Sequence, residues 1–166
     1  GVQILTGVEV LEITDGAPGL RVVTRGGTSY EADLVIVGTG AQPNTELARA
    51  AGLAVENGIV VDEQNRTSDP GLYAIGDCAV QYHPRYARPV RLESVQNAIE
   101  QAKSAAAALT GKPIPPRSIP WFWSDQYDLK LQIAGLSAGY TDLVLRGKAD
   151  EARRFSAWYF RGAELL

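Results

Sequence analysis

The sequence predicts an α/β region followed by an α+β region, and three observations carry that reading. Two short apolar runs, Leu34 to Val37 and Leu72 to Ile75, each stop at a glycine-bearing turn, as buried strands of an α/β sheet do. A helical repeat then starts at Ser94 and stops at Gly111. Beyond a proline-rich stretch, Lys112 to Pro120, apolar residues recur at every second position, the period of antiparallel strands.

Taken in order, Val2 to Leu5 and Val8 to Ile13 are β-rich runs around Thr6-Gly7. Leu20 to Thr24 and Thr28 to Ala32 flank Gly26-Gly27, a hairpin signal. Leu34 to Val37 reads as a strand buried on both faces that ends in Gly38-Thr39-Gly40, a turn that is either plain or able to approach a nucleotide. Asn44 can cap a helix running through Ala51, with Gly52 as its left-handed stop. Gly58 opens a further β run, Ile59 to Val61.

The turn cluster Ser68-Asp69-Pro70-Gly71 feeds the run Leu72 to Ile75, which ends in Gly76-Asp77. Asp77 therefore stands just past the carboxyl end of a predicted strand, where open α/β sheets bind ligands. Two readings of it are open: a turn or cap residue, or an acceptor for a ligand hydroxyl. His83, the sole histidine, falls in a stretch from His83-Pro84 to Pro89 that reads as an irregular polar loop, and no chemical role is assigned to it.

Ser94 is a good N-cap for a helix whose Val95, Ile99, Ala102, Ala106 and Leu109 share one face. That alanine-rich face can pack against a sheet or a cofactor. The free N–H groups of Val95 and Gln96 make a positive helix end, either simply the start of an amphipathic helix or an anion site for an electron-rich ring. Four prolines between Lys112 and Pro120 make a stiff linker and a domain boundary. After it come Trp121-Phe122-Trp123, then Leu129, Leu131 and Ile133, then Leu143 and Leu145, then Phe155, Ala157 and Tyr159. Trp121 and Trp123 share a strand face and are either core or cofactor contacts.

Composition narrows the function class. The 166 residues are 45% hydrophobic and 21% charged, within the range of an ordinary globular chain. No apolar run approaches a membrane span, and no signal peptide is expected. Cys78 is the single cysteine, so a disulfide-stapled scaffold and an internal redox-active pair are both excluded. A cytoplasmic location is expected, with neither nucleic acid nor a membrane as partner, and no metal site is expected. Residues 1–84 carry 4 basic and 11 acidic side chains, while residues 85–166 carry 12 and 8. An acidic partner is therefore expected at the second half.

Two features lead to the expectation that the chain is a fragment. It contains no Met, and its end reads as a severed hairpin: strand Phe155 to Phe160, turn Arg161-Gly162, return strand Ala163 to Leu166. Sheets without their partner strands are expected to be marginal or to associate through edges.

Four segments, in this order, resemble the C-terminal part of the FAD-dependent, NAD(P)H-oxidising ferredoxin reductases of the putidaredoxin and rubredoxin reductase type. They are Ala32 to Asn44, Thr67 to Cys78, Arg91-Leu92-Glu93-Ser94-Val95-Gln96-Asn97-Ala98, and Trp121-Phe122-Trp123-Ser124-Asp125-Gln126. Apoptosis-inducing factor and the glutathione-reductase-like flavoproteins are more distantly similar. The resemblance implies that Asp77 accepts a hydrogen bond from a ribityl hydroxyl of FAD, with Gly76 allowing the approach. It implies that Val95 presents its N–H to the pyrimidine side of the isoalloxazine, raising the flavin potential modestly, and that Trp123 lies against the ring. Glu93 and the Gly38–Gly40 turn, Gly40 included, are implied near the nicotinamide nucleotide.

The resemblance further divides the chain: residues 1–39 as the last strands of an NAD(P)H-binding domain, 40–118 as the second segment of a Rossmann-like FAD domain, 119–166 as an incomplete C-terminal α+β domain. The two Gly-x-Gly-x-x-Gly fingerprints of such enzymes are absent and are expected upstream of Gly1. The implied activity is electron transfer from NAD(P)H through FAD to a small acidic iron–sulfur ferredoxin. No residue here is named as catalytic, and the fragment alone is expected to be inactive. A disulfide or coenzyme A-disulfide reductase of the same superfamily, and a non-enzymatic interaction module, are the alternatives.

Overall fold

A computed structural model describes residues 2–17, 19–148 and 154–166. They form two compact units, Gly1–Gln42 and Pro43–Leu166.

The first unit is an antiparallel meander of β1 (Val10–Gly16), β2 (Gly19–Thr24) and β3 (Ser29–Ala32). The predicted Gly-Gly hairpin is present. Gly27 takes φ +80° and its N–H donates to the Thr24 carbonyl at 3.0 Å. Glu9 with Arg25 and Arg21 with Glu31 are surface ion pairs. Exposed pairs of this kind are screened by solvent and contribute little to stability.

Two predicted strands are not there. Val2 to Leu5 and Leu34 to Val37 take no place in any ladder among the described residues, and Ile36 is 87% exposed. The physical reason is that a strand is a property of a pair. A run buried on both faces needs neighbours to take up its N–H and C=O groups, and the three-strand meander supplies none.

The second unit begins with α1 (Glu46–Ala50), capped from Thr45 rather than by a side chain of Asn44. Gly52 then takes the expected left-handed conformation, φ +73°. A four-stranded sheet follows, in the order β4 (Val55–Glu56), β5 (Gly58–Val61), β6 (Ala79–His83), β7 (Arg88–Val90). β5 and β6 are parallel, in the register Ile59 to Ala79. Val61, Ala74 and Ala79, with Ile59 against them, make a small core under this sheet.

Leu72 to Ile75 is not a strand either. Its backbone groups are used locally: Thr67 N–H donates to the Leu72 carbonyl (2.9 Å), Leu72 N–H to Asp69 (3.0 Å) and Ala74 N–H to Asn65 (3.1 Å). Asp69 closes the turn by accepting from Gly71 N–H at 2.8 Å. The stretch from His83 to Pro89 departs from expectation in the opposite direction. It is a hairpin, in which a 3₁₀ turn over Pro84–Tyr86 and Ala87 at φ +49° join β6 to β7. The prolines and arginines that suggested a loop sit at its turn and edge.

Ser94 caps α2 (Val95–Leu109) as expected, its hydroxyl accepting from Asn97 N–H at 3.2 Å. The buried side of α2 carries Gln101, Ser104, Ala105 and Ala107, whereas Val95, Ile99 and Leu109 of the predicted apolar stripe are exposed. Polar bonds decide this orientation. Gln101 accepts from Gly76 N–H, and the Ser104 hydroxyl donates to the Glu63 carbonyl at 3.2 Å.

The linker is pinned where Arg117 donates to the Tyr82 carbonyl at 3.0 Å. Beyond it, β8 (Trp121–Gln126) pairs with β9 (Leu129–Ala134), β10 (Asp142–Gly147) pairs with β11 (Phe155–Arg161), and β11 pairs with β12 (Glu164–Leu165), all antiparallel. The return strand read at the end of the chain is thus present. Tyr86 hydroxyl accepts from Leu136 N–H (3.1 Å) and Arg85 donates to the Leu165 carbonyl (2.9 Å), which ties these strands to the β6–β7 hairpin. No helix among the described residues is long and apolar enough to cross a membrane.

His83 is 5% exposed, and neither ring nitrogen has a hydrogen-bond partner among the described residues. Burial, and then the positive charge of Arg117, Arg85 and Arg88, hold its imidazole below the ordinary value of 6.5. The unfolded chain therefore binds the extra proton more readily, so this contribution to stability is present above pH 6.5 and lost as pH falls below it. Urea unfolding at pH 7.5 and pH 5.5 should show lower stability at the acid pH. His83→Gln should flatten that part of the slope.

Candidate functional site

The parallel pairing of β5 with β6 places the segment that leads into β6 beside the start of β5. That segment is a single 3₁₀ turn, Gly76–Cys78. Asp77 thus lies at the amino end of β6, not past the carboxyl end of a strand. Gly58 is required by this approach: a Cβ there would stand 2.7 Å from the Cys78 carbonyl oxygen, and its φ is +134°.

The turn is docked on α2. Gly76 is buried at φ +76°, and its N–H donates to Oε1 of Gln101 at 2.7 Å. A Cβ on Gly76 would meet only Ala98 Cβ, at 3.8 Å. Asp77 keeps its side chain at the surface, while its backbone carbonyl accepts from Nη1 of Arg91 at 3.0 Å. The same Nη1 donates to the Glu93 carboxylate. Asn97 Nδ2 donates to the Leu92 carbonyl at 3.0 Å, which with the Ser94 cap sets the chain's path into the helix.

Four of the predicted residues, Gly76, Asp77, Glu93 and Val95, are therefore gathered at the amino end of α2. Val95 is 58% exposed, so the first turn is open to a ligand. Trp123 lies on β8, opposite Gln132, and is 52% exposed. Its strand is led in from the same helix, where Gln96 donates to the Ile119 carbonyl at 3.3 Å. Gly40 belongs to the first compact unit. It takes φ +98° with open space around its Cβ position.

The cluster offers an exposed acceptor carboxylate on a turn docked against α2, first-turn N–H groups of Val95 and Gln96 that have no hydrogen-bond partner among the described residues, and the positive end of a fifteen-residue helix. That set suits a polyol hydroxyl next to an electron-rich ring, so the residues present fit a flavin. It does not suit nucleophilic catalysis. Cys78, partly buried, has its Sγ 3.4 Å from the Ile75 carbonyl and no second cysteine to exchange with. Among the described residues no three potential ligands gather for a metal. Arg91 and Gln101 are the residues holding this cluster together that sequence reasoning passed over. Arg91 lay inside the Arg91–Ala98 segment without a role. Gln101 was detectable only as a polar interruption of an alanine-rich helix.

Residues 1–102 match the family described as pyridine nucleotide-disulphide oxidoreductase. The chain belongs to that family. Residues 121–166 match the reductase C-terminal family. Among pyridine nucleotide-disulphide oxidoreductases, the rhodocoxin reductase of Rhodococcus erythropolis is 51% identical over 164 residues, covering 99% of this chain and 38% of that protein. The putidaredoxin reductase of Pseudomonas putida is 47% identical over 169 residues, covering 100% of this chain and 40% of its own length. The crystal structure of the covalent putidaredoxin reductase–putidaredoxin complex superposes with TM-score 0.89 at 45% identity, over 96% of this chain and 39% of that one. The chain thus spans about two fifths of these relatives.

Glycine geometry at the site gives a graded test. Gly76→Ala should cost about 1–2 kcal/mol, because only the left-handed backbone opposes it. Gly58→Ala should cost more, because its Cβ meets the Cys78 backbone as well. Urea unfolding of the two variants reads the order directly.

Proposed function

We propose that this chain is the C-terminal part of a flavoprotein reductase that passes electrons from NAD(P)H through FAD to a small acidic iron–sulfur ferredoxin. The observation that carries the reading is the exposed Asp77 carboxylate held beside the open amino end of α2. The relatives' names, rhodocoxin reductase and putidaredoxin reductase, support that class of acceptor.

FAD, when bound, supplies two-electron acceptance and one-electron release, chemistry that no side chain here provides. The chain's own part is to bind and orient. Asp77 accepts from a ribityl hydroxyl, and Gly76 keeps the approach free of a side chain. The N–H of Val95 stabilises negative charge on the pyrimidine side, a helix-end contribution of about 0.3–1 kcal/mol, more where buried. Trp123 would cover the ring, and Glu93 would face the nicotinamide nucleotide. In this reading residues 1–39 close an NAD(P)H-binding domain, 40–118 return to the FAD domain, and 119–166 belong to the C-terminal domain that receives the acceptor. The excess of basic residues after position 84 suits an acidic partner.

The test uses the complete reductase. The purified protein should be yellow and should bleach on anaerobic addition of NADH or NADPH. Asp77→Ala should bind FAD roughly 10- to 100-fold more weakly, the loss of one hydrogen bond to a charged acceptor. A colourless protein, or an Asp77→Ala variant that holds FAD as tightly, overturns the proposal.

A further inference from the structure

We propose that Arg91 is a positioning residue that couples the flavin-binding turn to Glu93, so that one guanidinium sets both halves of the site. This rests on the functional reading above for the roles of Asp77 and Glu93, but not for the contact itself. A single nitrogen, Nη1, donates to the Asp77 backbone carbonyl at 3.0 Å and to the Glu93 carboxylate. The Arg91 side chain is 11% exposed against 41% for Glu93, so the arginine is the fixed member and the carboxylate the held one.

Its stem is seated as well as its head. Cδ of Arg91 lies 3.0 Å from where a Cβ on Gly58 would be, and that same position is 2.7 Å from the Cys78 carbonyl. Gly58 thus leaves room for Arg91 and the turn at once. The Nε of Arg91 is buried without a partner among the described residues. An unpaired buried donor is unfavourable, and the fold tolerates it here while Nη1 bridges two groups. A guanidinium can do this because its donors are in a rigid plane, whereas a compact ammonium on a flexible four-carbon stem cannot hold the same two acceptors as firmly.

The consequence is geometric. Moving Arg91 frees the Asp77 carbonyl and the Glu93 carboxylate together, so cofactor and nucleotide binding become linked through one side chain. A purely structural arginine would loosen the fold without linking them.

Two measurements test this. In the complete reductase, the rate at which a thiol reagent such as iodoacetamide labels Cys78, read on the peptide that carries it by mass spectrometry, reports opening of the Gly76–Cys78 turn. Arg91→Gln should speed that reaction at least tenfold. Glu93→Gln, which leaves the Asp77 contact in place, should change it less than twofold. In the complete reductase, Arg91→Gln and Glu93→Gln should each raise KM for the nicotinamide nucleotide about tenfold, with kcat moving less. The double variant should be no worse than Arg91→Gln alone, and Arg91→Lys should recover part of the loss. If Arg91→Gln does not fold, Arg91→Lys should still speed Cys78 modification at least threefold.

Wild-type Cys78 rates in the arginine variants overturn the coupling, as do additive KM effects in the double variant. A complete protein without flavin refutes the reductase reading, while the Cys78 rates still decide the contact.

Discussion

The arrangement depends on one hydrogen bond, from the buried N–H of Gly76 to the side-chain oxygen of Gln101. Leaving that donor unpaired would cost about 1–3 kcal/mol, so helix and turn are fixed to each other. Because Gln101 faces inward, Ser104 faces inward too, and both satisfy backbone groups that no strand reaches. The apolar stripe of α2 is consequently turned outward. The same contact presents Asp77 at the surface next to the first turn of the helix, so a structural bond and the candidate cofactor site have one origin.

Much of the fold could be read locally, and the errors have one cause. The Gly27 hairpin, the Gly52 stop, the Ser94 cap and the period-two strands after Pro120 are decided by a few adjacent residues. Leu34 to Val37 and Leu72 to Ile75 have the composition of strands, but among the described residues the first has no ladder partner and the second only an isolated bridge from Tyr73 to Arg66, because pairing is not a property of a segment. For α2, periodicity identified a helix but not its buried side, because two polar bonds outweighed the stripe. His83 was placed in a loop since prolines mark turns, yet here they end a hairpin whose strand buries the imidazole.

The site was legible to different degrees for the same reason. Glu93 and Val95 are adjacent to the Ser94 cap, and Asp77 follows a glycine, so their neighbourhood follows from short segments. That these segments meet depends on Gly58 letting β5 pass the Cys78 carbonyl and on Arg91 bridging Asp77 to Glu93. Neither contact has a signature in spacing. Trp123 and Gly40 stand on separate elements, and family resemblance, not local pattern, connects them with the rest.

The central claim is that the open amino end of α2 steadies negative charge on a bound flavin. Val95→Pro addresses it directly. Proline at the first helical position removes one N–H and is tolerated there, and Ser94 already has the extended backbone that precedes a proline, φ −148° and ψ 149°. Spectroelectrochemical titration of the complete, FAD-loaded protein should show a two-electron midpoint potential lower by roughly 6–20 mV, the electrochemical equivalent of a helix-end interaction of about 0.3–1 kcal/mol. An unchanged potential with flavin fully bound would contradict the account.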